Sequence, residues 1–143
     1  MALKGINAYK KGNLKQEIAT ADPHKITLLL MQGALERMAY AKGCIERKDF
    51  AGKAQNLARA TAIIVSLRDS LDMEVGGQLS ENLAALYNFM IERLTDASVQ
   101  NSLLIMDEVI NLMLPIKNAW ADIPEDAKQE AYEAQRQKRQ AAV

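Results

Sequence analysis

Apolar residues in this 143-residue chain recur at intervals of three and four, and nowhere alternate with period two over a strand length. That regularity confines the chain to helices. Ala, Leu, Met, Glu, Lys and Gln are abundant and only three prolines interrupt them. The first helix has a clear start, because Asp22 is a good N-cap and Pro23 suits a first helical position. Its stripe is Leu30, Ala34, Met38, Ala41 and Ile45, with Ile26, Leu28, Leu29 and Leu35 also apolar, so its first half is expected to be enclosed on most sides. It ends near Arg47. After the short break Lys48-Asp49, Asp49 can cap a second helix over residues 50–71, with Phe50, Ala54, Leu57, Thr61, Ile64 and Leu71 inward. Gly76-Gly77 signals a turn and a helix break. A third helix follows over 78–97, with Leu79, Leu83, Leu86, Met90 and Leu94 inward. The fourth, over 102–120, uses Leu103, Met106, Val109 or Ile110, Met113 and Trp120. Pro115 lies within that pattern and predicts a kink near Met113 or an early end.

Short loops make consecutive helices antiparallel neighbours. The expected fold is therefore all-α: an antiparallel up-down-up-down four-helix bundle over residues 22–121, with a short N-terminal segment, 1–21, before it. A tail, 122–143, begins at Ile123-Pro124. Its acidic residues come early and its basic ones late, which suits a helix dipole. Its apolar stripe is only Ile123, Ala127, Ala131 and Ala134, so this last helix is marginal on its own.

Eighteen basic and eighteen acidic residues cancel, and aromatic residues are few. Both facts argue against nucleic acid as a partner. The N-terminus, broken by Lys4, Lys10 and Lys11, does not read as a signal peptide, and no run of about 18 apolar residues offers a membrane span. The single cysteine, Cys44, fits a reducing compartment, so a cytoplasmic location is expected. Chemistry is hard to place. One histidine, His24, cannot supply a bundle metal site, and its first-turn position reads as a plain surface residue rather than a phosphotransfer centre. Cys44 has no second Cys or His nearby and reads as a core or boundary residue. No enzyme activity, metal or cofactor is expected.

Surface for a partner is what remains. Three consecutive β-branched residues, Ile63, Ile64 and Val65, cannot all face one core, because successive residues lie about 100° apart around a helix. Tyr87 and Ile91 likewise flank the stripe from Leu83 to Met90. Periodicity alone leaves plain core and partner surface both open. A groove between the second and third helices would receive an amphipathic helix. Tyr9, a lone aromatic on a polar segment, is either an idle tail residue or a lid over apolar surface.

From Tyr9 to Trp120 the chain resembles the flagellin-specific export chaperones, the FliS family. The resemblance rests on Tyr9, on Thr20-Ala21-Asp22-Pro23, and on the stretch from Leu28 to Ala34. It continues through Ala60, Ile63, Ile64, Leu67, Leu71 and Asp72 to Gly76-Gly77, then Asn82-Leu83, Leu86-Tyr87 and Trp120. Met31-Gln32 stands where the family has Tyr-Asp, and Pro115 interrupts the helix before Trp120. The resemblance implies a cytoplasmic chaperone that binds the disordered C-terminal region of flagellin, prevents premature polymerisation and holds the subunit for type III export. Other flagellar regulators would be further partners. On this reading Tyr9 is a lid. Ile63, Val65, Leu67, Leu86, Tyr87, Met90 and Leu94 form the groove, and Asn56 and Asn82 anchor cargo backbone. The alternative is a homo-oligomeric structural or adaptor bundle whose spare surface is a subunit interface.

Overall fold

The computed structural model describes residues 22–141. Five helices follow one another: α1 (Pro23–Glu46), α2 (Phe50–Asp69), α3 (Met73–Gln100), α4 (Leu103–Ala121) and α5 (Glu125–Ala141), with no strand among the described residues. Side-chain caps start the first four. Asp22 Oδ1 accepts from Lys25 N at 2.8 Å, Asp49 Oδ1 from Gly52 N at 3.0 Å, and Ser102 Oγ from Ile105 N at 3.1 Å. Asp72 Oδ1 accepts from both Glu74 N and Val75 N. Each cap satisfies a donor that the helix itself leaves orphaned. Lys48 and Asn101, with φ of 59° and 51°, make the left-handed steps that let α1 and α3 end in tight turns.

α1 packs on α2 and α4, and α3 packs on the same two helices. Chain order is thus order around the bundle, with up-down-up-down topology. Polar ties cross each remaining seam. Lys42 pairs with Asp107 between α1 and α4, and Arg93 with Glu108 between α3 and α4, at 2.6 and 2.8 Å. Arg68 Nη1 donates to Asn88 Oδ1 between α2 and α3 at 2.8 Å. The core is built from Met31, Met38, Leu57, Ile64, Leu67, Tyr87, Met90, Leu94, Met106 and Met113, with Ala34, Ala41, Ala60 and Ala97 where helices approach closely.

Several expectations change on contact with the structure. α3 turns a different stripe inward: Ser80 and Tyr87 are buried, whereas Leu79 is 66% exposed and Leu86 36%. Phe50, expected inward, is half exposed at the first position of α2, where the Lys53 ammonium sits 5.2 Å from its ring centre. α4 does not stop at Pro115; it runs on to Ala121. Pro115 and Asn111, whose carbonyl loses its helical donor, both lie on the exposed side, where water can replace the bond. Gly77 does interrupt α3: its φ of 52° and ψ of −128° separate a short leading turn from the long helix. His24 is buried, not a plain surface residue. Cys44 is buried at the edge of the α1–α2 seam, as a boundary residue should be.

Candidate functional site

An open trough of about 570 Å³ runs between α2 and α3. Its α2 wall is Ala54, Ala58, Thr61 and Ala62, its α3 wall is Thr95, Ser98 and Val99, and Leu57 and Leu94 form its floor. The local cause is side-chain size. Alanines at 54, 58 and 62 fall at intervals of four, so one strip of α2 carries nothing beyond Cβ. Larger residues there would fill the seam. None of these lining side chains is charged. Charge sits at the ends instead. At one end Lys53 Nζ donates to the Ser98 carbonyl at 2.9 Å and to Asn101 Oδ1 at 2.7 Å. Toward the other end lies the Arg68–Asn88 bond. Val99, 78% exposed, forms an apolar lip. Such a surface can take apolar side chains of a helix or an extended segment. Its hydroxyl residues, Thr61, Thr95 and Ser98, have no acid or base among the other lining residues, and among the described residues no group of His, Cys, Asp and Glu could hold a metal ion.

The residues expected to form a groove are not brought together on one surface. Leu67, Tyr87, Met90 and Leu94 lie in the bundle core, each at most 1% exposed. Their stripe faces inward because it is the one shared with Ile64, Met106 and Met113 across the bundle. Burial pushes the Tyr87 phenol up to about 12. Leu94 alone touches the trough, from beneath. Ile63 turns the other way, toward α1, where a Cβ placed on Gly33 would stand 3.6 Å from its Cδ1. Val65 is half-buried one turn beyond Thr61 and extends the α2 wall by helical period. Leu86 belongs to a separate outer face of α3 with Leu79 and Phe89.

Neither asparagine is free to anchor a partner's backbone without giving up a bond. Asn56 Nδ2 donates to the Gly52 carbonyl at 2.9 Å, and its Oδ1 faces Arg37 Nη1 at 3.4 Å, on the α1 side. Asn82 Oδ1 accepts from Gln78 Nε2 at 2.9 Å on the exposed face of α3. Tyr9 lies outside the described residues. Sequence reasoning passed over the small residues that make the trough. The alanine spacing was the available signal, and an apolar count ignores it.

Comparison with known proteins places this geometry in context. The family profile Flagellar protein FliS matches residues 5–127. The chain is 40% identical over 122 residues to the Flagellar secretion chaperone FliSB of Pseudomonas aeruginosa, covering 85% of this chain and 97% of that protein. It is 40% identical over 119 residues to the Flagellar secretion chaperone FliS of Vibrio cholerae, covering 83% and 88%. The corresponding protein of Salmonella typhimurium is 34% identical over 120 residues, covering 83% and 89%.

Proposed function

This chain belongs to the FliS family of flagellar proteins, and on that premise we propose that it is a cytoplasmic secretion chaperone for flagellin. It holds the disordered C-terminal region of the subunit, keeps it from polymerising early and presents it for flagellar type III export. The relatives' shared designation supports the role. The observation that carries the mechanism is the uncharged, alanine-walled trough between α2 and α3.

Binding of this kind needs no catalysis. A disordered segment loses conformational entropy when it docks, and buried apolar area has to exceed that cost. Each fully buried Leu or Ile of the cargo contributes about 1.5–3 kcal/mol. A few such side chains seated between Ala58 and Thr95 therefore suffice for a complex that can still be released. Absence of charge along the trough also matters, because an unpaired charge there would have to be desolvated. Tyr9 serves as a lid that lowers apparent affinity by the fraction of molecules left open.

Calorimetric titration with the isolated C-terminal segment of the same organism's flagellin tests the proposal. One-to-one binding with a large negative heat-capacity change is the expected result, the signature of apolar burial coupled to folding. No heat, together with a self-associated protein on a sizing column, would favour the homo-oligomeric bundle instead.

A further inference from the structure

α5 has no buried residue among its described side chains. Only half of the expected apolar stripe turns to the bundle: Ala127 and Ala131 are exposed, while Ile123 and Ala134 are partly covered, together with Lys128, Tyr132 and Gln135. Lys128, Tyr132 and Gln135 recur at intervals of four and three and continue to Lys138, so the docked face of α5 is mostly polar, with Ala134 as its one partly covered aliphatic residue. Its attachments are polar too. Tyr132 Oη accepts the backbone N–H of His24 at 3.1 Å. Lys138 Nζ reaches Asp72 Oδ1 at 3.0 Å and Glu74 Oε2 at 3.2 Å. Between α5 and the α2–α3 junction lies a cleft of about 470 Å³, with Leu71, Met73, Gln135 and Arg139 among its walls. The family match ends at residue 127, so most of α5 lies outside it.

We propose that α5 is a detachable electrostatic strap, which closes over the α2–α3 junction at low ionic strength and lifts away without unfolding the bundle. With no residue of α5 fully buried, apolar burial holds it only weakly, and exposed ion pairs are individually weak and screened by salt. Lys138 pairs with acidic Asp72 and Glu74, and Arg139 lines the same cleft, so the docked state is favoured by charge complementarity. The contact is also coupled to α3. Asp72 Oδ1, which holds Lys138, is the same atom that caps Glu74 N and Val75 N. Val75 N–H first, then Lys138, holds the Asp72 carboxyl below its usual range, and Asp72 raises Lys138 in turn. Gly77 breaks the helix immediately after this capped turn, so residues 73–76 can loosen separately from the long part of α3. The α2–α3 trough, near Lys53 and Ser98, lies toward the opposite end of both helices. The strap therefore stands or falls separately from the cargo proposal.

Hydrogen exchange on the full chain tests this. Raising salt from about 0.05 M to about 0.5 M should speed exchange in 130–141 and in 73–76 together, because screening shortens to a few ångströms. Amides of α2, of α4 and of α1 beyond its first turn should keep their protection, whereas His24 N–H loses its Tyr132 acceptor with the strap. At low salt, Lys138→Glu should speed both segments by roughly fivefold or more, since it removes two exposed pairs and adds repulsion. Tyr132→Phe, which removes the acceptor for His24 N–H without a change of charge, should speed α5 as well. The proposal is overturned if α5 is unprotected even at low salt, if its protection is lost only with global unfolding, or if α5 responds while 73–76 does not.

Discussion

His24 and Trp120 stack with ring centres 5.3 Å apart and planes 9° from parallel, and they exchange two hydrogen bonds. Trp120 Nε1–H donates to the His24 carbonyl at 3.0 Å, and His24 Nε2 donates to the Trp120 carbonyl at 2.6 Å. A carbonyl only accepts, so Nε2 carries the proton. Beginning of α1 and end of α4 are thereby stapled together, and the imidazole is withdrawn from any phosphate donor. Trp120→Phe keeps a stacked ring but removes the indole bond to the His24 carbonyl, which retains its intrahelical donor, and is expected to cost about 0.5–1.5 kcal/mol. Trp120→Ala also removes the ring and should cost about 3 kcal/mol or more. Urea unfolding followed by far-ultraviolet circular dichroism measures both. A loss below 0.5 kcal/mol for Trp120→Ala, on the scale of about ±0.5 kcal/mol typical of inconsequential surface changes, would show that the staple does not matter.

Cargo binding should follow the trough. Ala58 is exposed, and Arg is a good helix former, so Ala58→Arg should leave stability within about 0.5 kcal/mol. Its side chain would nevertheless lie across the seam opposite Thr95, and affinity for the flagellin segment should fall at least about tenfold, roughly 1.4 kcal/mol. Val65→Asp should weaken binding too, at some cost in stability because Val65 is half-buried. Leu86→Ala, on the other face of α3, is the control. If titration shows that Leu86 matters and Ala58 does not, the cargo lies on the outer face of α3 and the trough is misassigned.

Why the helices were legible in the sequence while the groove was not is clear from particular residues. Asp22, Asp49 and Gly77 act locally: a carboxylate caps the next turn and a glycine breaks the helix wherever the rest of the chain goes. The inward face of α3 is a tertiary matter. Two adjacent stripes, one through Leu79 and Leu86 and one through Ser80 and Tyr87, share Leu83, Met90 and Leu94. Counting apolar residues favours the first, since it holds leucine where the second holds serine. Packing selects the second, because Tyr87 fills core volume and Ser80 Oγ donates to the Asp72 carbonyl at 2.9 Å, closing the junction. The mostly polar docked face of α5 was illegible for the same reason: its partners, Asp72 and His24, are far away in sequence.

Tyr87 should give the bundle a distinctive alkaline limb. Its phenol titrates at about 12 in the folded chain, against an ordinary 10.0, because burial disfavours the phenolate. The unfolded chain therefore releases this proton first as pH rises. Stability contributed by the neutral phenol is fully present below pH 10 and is lost as pH climbs through 12. Tyr87→Phe removes the titrating group and should flatten the fall in unfolding free energy over that window. Identical alkaline limbs for both proteins would mean that Tyr87 reaches water more freely than its 1% exposure implies.

Gly77 offers the cleanest separation of backbone strain from side-chain packing. Its φ of 52° with ψ of −128° lies outside the regions open to L-residues, yet a Cβ added there would meet nothing within 4 Å. Gly77→Ala should therefore be destabilising through conformation alone, by about 1–3 kcal/mol. The urea midpoint should drop with an unchanged slope, since the surface exposed on unfolding is the same. Gly76→Ala fails for a different reason: its Cβ would run into Ser80 Oγ and force apart the Ser80–Asp72 bond. D-Ala at position 77, introduced by ligation, inverts the sign relationship. Its mirror-image preferences include the φ and ψ found here, which correspond to the polyproline region of an L-residue. A D-Ala chain as stable as the parent beside a weakened L-Ala chain would establish that handedness at the break, and not room for a methyl group, keeps glycine there. Equal loss from both would instead mean that any Cβ is excluded.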